Sequence, residues 1–215
     1  MFTGIIEHLG TISRLEINSS GGKLTVHAPT LTPHLAVSAS VAVNGCCLTV
    51  VHRDGNHFFA DLSGETIAKT SFASLKTDAR VNLEQPLSAG KDFGGHFVLG
   101  HVDGTGRVAH LKSDGESWVY GVEVPRDLAR YIVSKGSITI DGISLTVARW
   151  QNRIAEIAVI PYTYEHTNIR DRVAGDAVNL EADILGKYIE RSVSQHAAQK
   201  NSSSLKIEDL ISQGF

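Results

Sequence analysis

Two short segments of the sequence place small polar side chains where they could hold a ligand. Cys47 and Thr49 in the first segment correspond to Ser144 and Thr146 in the second, at a shift of 97 residues. Alternate residues of a β-strand point to one face, so each pair shares a face. A single pair would fit equally well a buried thiol and structural hydroxyls. Its duplication favours two matched faces that hold two similar ligands.

Four other residues have side chains that suit chemistry. His96 and His101 lie five residues apart, but a zinc site needs about four nitrogen or sulfur ligands and no cysteine is close in sequence. Asp141 stands where the first segment has Asn44, and a turn role would explain both. Alternatively, a ligand-facing carboxylate at Asp141 alone would make the two half-sites chemically unequal. Cys46 is the neighbour of Cys47 in a predicted strand, so we expect only one of them to face a pocket.

The matched segments belong to a repeat that covers most of the chain. Three blocks match in order, the first two at a shift of 97 residues and the third at 96: residues 40–50 with 137–147, 79–84 with 176–181, and 4–7 with 100–103. We interpret the chain as two copies of one module. Glycine-rich segments near His101 are not followed by a helical pattern, which argues against a dinucleotide site.

Each copy has the sequence pattern of a small β-structure. Short β-rich runs are bounded by turn residues, and Asp54-Gly55 and Asp114-Gly115 indicate two-residue hairpins. About six strands per copy suit a closed barrel, which leaves no exposed edge. The predicted fold is all-β, with two tandem, similar, six-stranded Greek-key barrels over residues 1–96 and 97–183 and a linker at 86–95.

The end of the chain has a different pattern. Apolar residues recur at helical spacing after Asp183, a suitable N-cap, and predict a C-terminal α-helix within a helix-and-tail region at 184–215: Ile184, Leu185, Tyr188, Ile189 and Val193. A short last helix is predicted at 205–210. The longer helix occurs once, so it either closes the second barrel or packs against something else.

Composition excludes several classes of protein. The net charge is −3 with scattered basic residues, which argues against nucleic acid as a partner. The sequence contains no run of about 18 apolar residues, which a membrane-spanning helix would need. The first residues lack the basic and apolar regions of a signal peptide. Adjacent Cys46 and Cys47 cannot easily form a bridge, so we expect a reducing, cytoplasmic location.

Five motifs in order resemble the riboflavin synthase α chains, over residues 1 to about 188: 1–7 (MFTGIIE), 44–50 (NGCCLTV), 94–105 (GGHFVLGHVDGT), 135–147 (KGSITIDGISLTV) and 178–181 (VNLE). The resemblance implies a transferase that moves a four-carbon unit between two molecules of 6,7-dimethyl-8-ribityllumazine. The products are riboflavin and 5-amino-6-ribitylaminouracil, in the last step of riboflavin biosynthesis. No metal or other cofactor is implied.

The family also implies an assembly. Each barrel would bind one lumazine, and three chains would form a homotrimer partly through the C-terminal helix. The active site would lie between the first barrel of one subunit and the second barrel of another. Lumazine synthase is a further expected partner.

Residues at matching positions are expected to contact the substrate. In the first barrel these are Gly4, Ile5, Ile6, Cys47, Leu48, Thr49, Asp61, Leu62, Ser63, Gly64, Glu65 and Thr66. In the second they are Gly100, His101, Val102, Lys135, Ser144, Leu145, Thr146, Ile160, Pro161, Tyr162, Thr163, Tyr164 and Glu165. Leu99 departs from the family pattern, where Ser or Gln is common, and Tyr162 and Tyr164 lie in a segment that varies in the family.

Catalytic roles are expected for five residues of these motifs. His101 would relay protons, because imidazole titrates near neutral pH. Cys47 would assist through its thiol or thiolate, and Ser144, Thr146 and Asp141 would position and polarise the donor. The alternative is a non-catalytic lumazine protein, a related chromophore carrier. Such carriers generally lose residues that are present here, among them the paired cysteines and the Gly-His motif. A flavin-binding barrel of a reductase would need a nucleotide-binding α/β domain, and no such pattern follows.

Overall fold

A computed structural model describes residues 1–18 and 20–202, and Met1–Asp183 form one compact unit. The first repeat contains strands β1 (His8–Asn18), β2 (Gly21–His27), β3 (Ser40–Val43), β4 (Cys46–Asp54), β5 (His57–Ser63) and β6 (Arg80–Glu84), with helix α1 (Gly64–Lys69). The second contains β7 (Gly104–Asp114), β8 (Ser117–Glu123), β9 (Ser137–Ile140), β10 (Ile143–Thr146), β11 (Arg149–Gln151), β12 (Ile154–Val159) and β13 (Ala177–Ala182), with helix α2 (Pro161–His166). Short 3₁₀ helices cover Thr32–His34, Ser71–Ser74, Ala129–Tyr131 and Asn168–Asp171.

The first repeat closes into a barrel with the strand order β1-β2-β5-β4-β3-β6. Its neighbouring strands pair antiparallel. The alternation along β5 shows how the core forms, because Phe58, Ala60 and Leu62 point inward and the residues between them are more exposed. The predicted all-β class and the first six-stranded barrel are confirmed.

The second repeat forms a seven-stranded sheet in the order β10-β9-β13-β7-β8-β12-β11. This is the order of the first barrel, except that the strand equivalent to β4 is interrupted at Val147 and Ala148. The two ends of the sheet are therefore the two parts of one strand. At the same place in the first repeat, the β4–β5 pairing shifts register between Val50 and His52. The predicted second barrel is thus present as a similar but interrupted sheet.

Both predicted hairpins are present, one residue further along than expected. The turn between β4 and β5 has Gly55 and Asn56 at its centre, and that between β7 and β8 has Gly115 and Glu116. Gly55 and Gly115 have φ values of +54° and +60°. Glycine therefore takes the first central position of each turn, where it adopts a left-handed conformation at little cost.

The two repeats are joined by main-chain segments that lie between them. Phe2 and Val98 exchange backbone hydrogen bonds and are buried together with Ala42. Ile6 packs on the core of the second repeat, whereas Val102 packs on the core of the first. The boundary that the sequence suggests near residue 96 therefore lies within a region of close contact between the repeats.

A buried polar network also connects the repeats, and it follows their two-fold pseudosymmetry. The Asn82 side chain donates to the Asp141 carbonyl oxygen at 2.9 Å, and the equivalent Asn179 donates to the Asn44 carbonyl oxygen at 2.8 Å. Each amide oxygen accepts a backbone N–H from the first residue of a 3₁₀ helix in the other repeat. Buried polar groups stabilise a contact only when they are satisfied in this way.

The predicted C-terminal helix is present as α3 (Ile184–Ser202). Leu185, Tyr188, Ile189 and Val193 on this helix are exposed. No helix in the described part of the chain is long and apolar enough to cross a membrane. The last predicted helix, at 205–210, lies outside the described residues.

The turns that contain Gly45 and Gly142 pack against each other between the repeats. A Cβ atom on Gly142 would lie 2.6 Å from the Gly45 nitrogen, and Gly142 has a φ of +82°. We expect Gly142→Ala to lower the free energy of unfolding by about 2–5 kcal/mol, because left-handed strain adds to a clash with backbone that cannot move freely. Urea denaturation measures this change.

Gly55→Ala is the matched control for this substitution. Gly55 also has a positive φ, but no atom lies within 4 Å of the place that a Cβ atom would take there. The control should cost only about 1–2 kcal/mol, the left-handed penalty alone. If Gly142→Ala cost no more than Gly55→Ala, the close approach of the two turns would not be a stabilising contact.

Candidate functional site

A pocket of about 290 Å³ opens on the first barrel and is built from both repeats. The first repeat contributes residues from β4, α1 and the residue after it, and the second contributes one short segment. The lining residues are Cys46, Cys47, Glu65, Thr66, Lys69, Thr70, Gly100, His101 and Val102. The structure therefore brings together Cys47 and His101, which are far apart in the sequence.

Main-chain hydrogen bonds assign each segment to the barrel of the other repeat. The Cys47 N–H donates to the Gly100 carbonyl oxygen at 2.9 Å, and the Ser144 N–H donates to the Gly4 carbonyl oxygen at 2.7 Å. The sequence groups residues 4–6 with the first barrel and residues 100–102 with the second. That grouping is wrong, because the two segments are exchanged.

Glycine permits these close approaches. Gly100 has a φ of +79°, and a Cβ atom there would lie 2.7 Å from the Cys47 Cβ atom. Gly4 has a φ of +78°, and a Cβ atom there would lie 2.7 Å from the Ser144 Cβ atom. A side chain at either position would push the segment away from the strand that it contacts.

The two cysteines differ in environment, although both line the pocket. The alternation expected for a strand is nevertheless present, because Cys47 packs with Phe2, Ala42 and Val98 outside the barrel core. Cys46 is 7% exposed and belongs to the core of the first barrel, whereas Cys47 is half-buried. Burial, together with the charges of Cys47 and Glu181, raises the pKa of the Cys46 thiol to about 12. Cys46 therefore stays protonated, and Cys47 is the better candidate for chemistry.

Helix α1 forms one wall of the pocket. Ser63 caps this helix, because its hydroxyl accepts the Thr66 N–H at 3.0 Å. Glu65 and Thr66, which were predicted to contact the substrate, line the pocket. Lys69 on the same helix also lines it and was not predicted. Of the other predicted residues in this repeat, Leu48 and Leu62 are core residues, Thr49, Asp61 and Gly64 are exposed, and Ser63 is the cap.

The predicted residues of the second repeat lie on the equivalent elements. Ser144 is half-buried, Thr146 and Lys135 are exposed, and Leu145 is in the core. Ile160 precedes α2, the counterpart of α1, and residues 161–165 form most of this helix. The Tyr164 ring stacks on Trp118 with centroids 3.7 Å apart, and the Tyr162 ring stacks on His166 at 4.0 Å.

His96 contacts the second repeat, whereas the sequence suggested it only as a metal ligand. Its Nδ1 lies 2.7 Å from the Ser144 hydroxyl, and its Nε2 lies 3.1 Å from the Thr139 hydroxyl. Burial lowers the pKa of His96, against the opposing charge of Asp183. A neutral imidazole that bonds to Ser144 can hold and orient this hydroxyl. The repeat could not reveal this contact, since His96 has no counterpart in the first copy.

The Asp141 carboxylate is buried between the repeats. The residue is 1% exposed, and its carboxylate accepts hydrogen bonds from the Asn179 N–H at 2.8 Å, the Asn168 amide at 3.1 Å and the Arg172 guanidinium at 2.5 Å. These contacts hold it in the network between the repeats. The expected role of Asp141 in positioning and polarising the donor stays a prediction, and these contacts add a structural role.

Metal ligands are not grouped in the part of the chain that the structure describes. No set of three or more His, Cys, Asp and Glu residues there is arranged to hold an ion. The side chains that line the pocket offer thiols, an imidazole, hydroxyls, the Glu65 carboxylate and the Lys69 ammonium group.

Comparison with known proteins relates this geometry to a family. The model of the lumazine binding domain matches twice, at residues 3–86 and 99–183. A riboflavin synthase from Actinobacillus pleuropneumoniae is 41% identical over 215 residues, the full length of both chains. Crystal structures of LumP with riboflavin and with 6,7-dimethyl-8-(1'-D-ribityl) lumazine match with TM-scores of 0.80 and 0.78, at 26% and 25% identity, covering 85% of this chain and 99% of theirs.

The repeat and the fold are thus shared with known proteins. Two family domains cover most of the chain, and a relative matches it from end to end. The chain belongs to the riboflavin synthase family of proteins with two lumazine binding domains.

Proposed function

We propose that this chain is a riboflavin synthase that converts two molecules of 6,7-dimethyl-8-ribityllumazine into riboflavin and 5-amino-6-ribitylaminouracil. The observation that carries the proposal is the pocket on the first barrel, where Cys47 of one repeat and His101 of the other line the same 290 Å³ space. The riboflavin synthase from Actinobacillus pleuropneumoniae and the ligands of LumP support the choice of substrate.

The reaction is a transfer of four carbons between two identical molecules. The C7 methyl group of the donor loses a proton to give a delocalised anion, because the lumazine ring is an electron sink. A nucleophile adds at C7 of the acceptor and makes its ring electrophilic, and the donor anion then attacks this ring. Elimination from the joined intermediate expels the nucleophile and releases both products. No redox cofactor is needed. Holding the two rings in contact contributes up to roughly 7–11 kcal/mol to lowering the barrier.

Side chains around the first pocket supply proton transfer and polarity. In this proposal His101 relays protons, and the thiol or thiolate of Cys47 assists at the ring. Thr66 and Glu65 of α1 contact the bound molecule. General acid–base catalysis of this kind typically contributes about 10²–10⁴ in rate.

The second lumazine would bind at the equivalent face of the second repeat. Ser144, oriented by His96, and Thr146 would position and polarise this molecule. The exchanged residues 4–6, Lys135 and residues 160–165 would complete its contacts. Asp141 would help to position and polarise the same molecule, and its hydrogen bonds to Asn179 and Arg172 also hold the turn before Ser144.

Assembly into a homotrimer would join a first barrel to the second barrel of a neighbouring subunit. The exposed apolar residues of α3, Leu185, Tyr188, Ile189 and Val193, suit a helix that packs between subunits. Association with lumazine synthase and a cytoplasmic location belong to the same proposal.

A non-catalytic carrier of lumazine or flavin is the second candidate. It is suggested by LumP, which has a similar fold and was crystallised with riboflavin and with lumazine. The enzyme is supported by the higher identity, 41% over the full chain against 26% for LumP. It is also supported by the presence of Cys47, His101 and Ser144 together.

Incubating the purified chain with 6,7-dimethyl-8-ribityllumazine alone should produce riboflavin. One riboflavin should appear for every two lumazines consumed, since the second molecule leaves as 5-amino-6-ribitylaminouracil. Absorbance and chromatography follow both compounds. Tight binding of lumazine without turnover would instead identify a carrier.

Replacing His101 by Gln or Cys47 by Ala should lower turnover at saturating lumazine by about 10²–10⁴-fold, with a much smaller change in binding. Steady-state kinetics and equilibrium titration separate the two effects. His52→Gln is the control, because His52 is an exposed histidine of β4 that is not among the residues lining the pocket. Unchanged turnover in His101→Gln or Cys47→Ala would reject the catalytic role of that residue.

Acid should destabilise the fold through His96. Its pKa is lowered in the folded chain, so the unfolded chain takes up a proton near pH 6.5 while the folded chain still resists it. The stability contributed by neutral His96 is therefore present above about pH 6.5 and is lost as the pH falls, with a slope of at most about 1.4 kcal/mol per pH unit. Urea unfolding between pH 7.5 and pH 5 measures it.

His96→Gln removes this titrating group and should reduce the slope, although His8, whose pKa burial also lowers, still contributes. The exposed His52→Gln should keep the full slope. Equal slopes in wild type and His96→Gln would show that the buried imidazole does not control the acid response.

A further inference from the structure

Two buried carboxylates occupy equivalent positions at the ends of the strands that carry the repeated VNLE motif. Glu84 ends β6 and is 3% exposed, and Glu181 lies in β13 and is 4% exposed. A buried carboxylate is costly unless hydrogen bonds satisfy it. An apolar side chain would fill either position at a lower cost, so the carboxylates call for a specific explanation.

Each carboxylate binds the N–H groups of two consecutive residues. Glu84 accepts from the Thr3 N–H at 2.7 Å and the Gly4 N–H at 3.0 Å. Glu181 accepts from the Leu99 N–H at 2.7 Å and the Gly100 N–H at 3.0 Å. In each case the first of these N–H groups donates to one carboxylate oxygen and the second donates to the other. Such charge-assisted pairs fix the orientation of a peptide plane, which a single acceptor does not.

The segments held in this way are the ones that the repeats exchange. Glu181 belongs to the second repeat, yet the segment it binds accepts the Cys47 N–H and continues directly into His101 and Val102 in the first pocket. Glu84 belongs to the first repeat, yet the segment it binds accepts the Ser144 N–H of the second repeat. Each carboxylate therefore acts across the boundary between repeats.

The two carboxylates are equivalent in place but not in all their contacts. The Thr3 hydroxyl also donates to Glu84, at 2.8 Å, whereas the equivalent residue in the second repeat is Leu99, which has no hydroxyl. Burial raises the pKa of Glu84, and the hydrogen bonds from Thr3 and Gly4 oppose this rise. The bonds to the exchanged segment are thus a principal support of the ionised carboxylate.

We propose that Glu84 and Glu181 are positioning residues that act on the ligand site of the opposite repeat. Glu181 holds the segment that carries His101 against the first pocket, and Glu84 holds residues 4–6 against the second site. This inference rests on the proposed function for the identity of the ligands. Neither carboxylate touches the ligand itself.

Glu181→Gln and Glu84→Gln test the proposal as a matched pair. Glutamine keeps the size of the side chain but replaces one acceptor oxygen by an NH₂ group that faces a backbone N–H. Riboflavin is titrated into each variant of the full chain with labelled threonine methyl groups. Thr66 reports the first pocket, and Thr163, its equivalent in the repeat, reports the second site.

The expected result is a crossed pattern. Glu181→Gln should weaken the riboflavin binding that Thr66 reports by about 10- to 100-fold, because one charge-assisted hydrogen bond is lost. The affinity that Thr163 reports should change by less than about twofold. Glu84→Gln should do the reverse. Weakening at the same repeat as the substitution, at both sites equally, or at neither would overturn the proposal.

Two further measurements separate positioning from folding and from the proposed function. Should a Gln variant fail to fold, Glu181→Asp and Glu84→Asp carry the test, because aspartate keeps both acceptors and should show the same crossed pattern with a smaller loss. Wild-type turnover of lumazine is measured independently. Turnover without the crossed pattern refutes only the positioning role, whereas a crossed pattern in a chain that makes no riboflavin refutes only the enzyme.

Discussion

The close packing of two glycine turns is the constraint on which the rest of the structure depends. Gly45 and Gly142 lie back to back, so near that a Cβ atom on either would come within 3 Å of the other's backbone. In the same region Asn82 and Asn179 reach carbonyl oxygens of the opposite repeat, and the exchanged segments pair with β4 and β10. The two repeats are therefore one folding unit, and the pocket is a product of their contact.

Duplication gives two similar sites, but the copies have diverged at the places where charge matters. Asp141 replaces Asn44, and the position equivalent to Leu75 is Arg172, which binds Asp141 at 2.5 Å. The buried carboxylate is thus compensated by a second change in the same copy, as a buried charge requires. This pairing explains how the second copy accommodates a buried charge where the first copy has the neutral Asn44.

Much of the fold could be predicted because it depends on local patterns. Alternating apolar residues define strands such as β5, and Gly55 marks a hairpin within one residue. The exchange of segments could not be predicted, since the bond from the Cys47 N–H to the Gly100 oxygen joins main-chain atoms that every sequence possesses. The contact of His96 could not be predicted for a different reason, because its partner Ser144 lies 48 residues away in the sequence.

The exchange has a consequence for chemistry between two identical molecules. Two equal sites would bind both lumazines well but would not distinguish a donor from an acceptor, so the repeats must be similar in shape and unequal in function. The matched strands supply the similarity. The inequality arises where the first site has a thiol at Cys47 beside His101, and the second has a hydroxyl at Ser144 beside His96. Each barrel is contacted by a segment that belongs to the other repeat, so one barrel by itself would lack part of its binding surface. The reaction that we propose therefore requires both repeats.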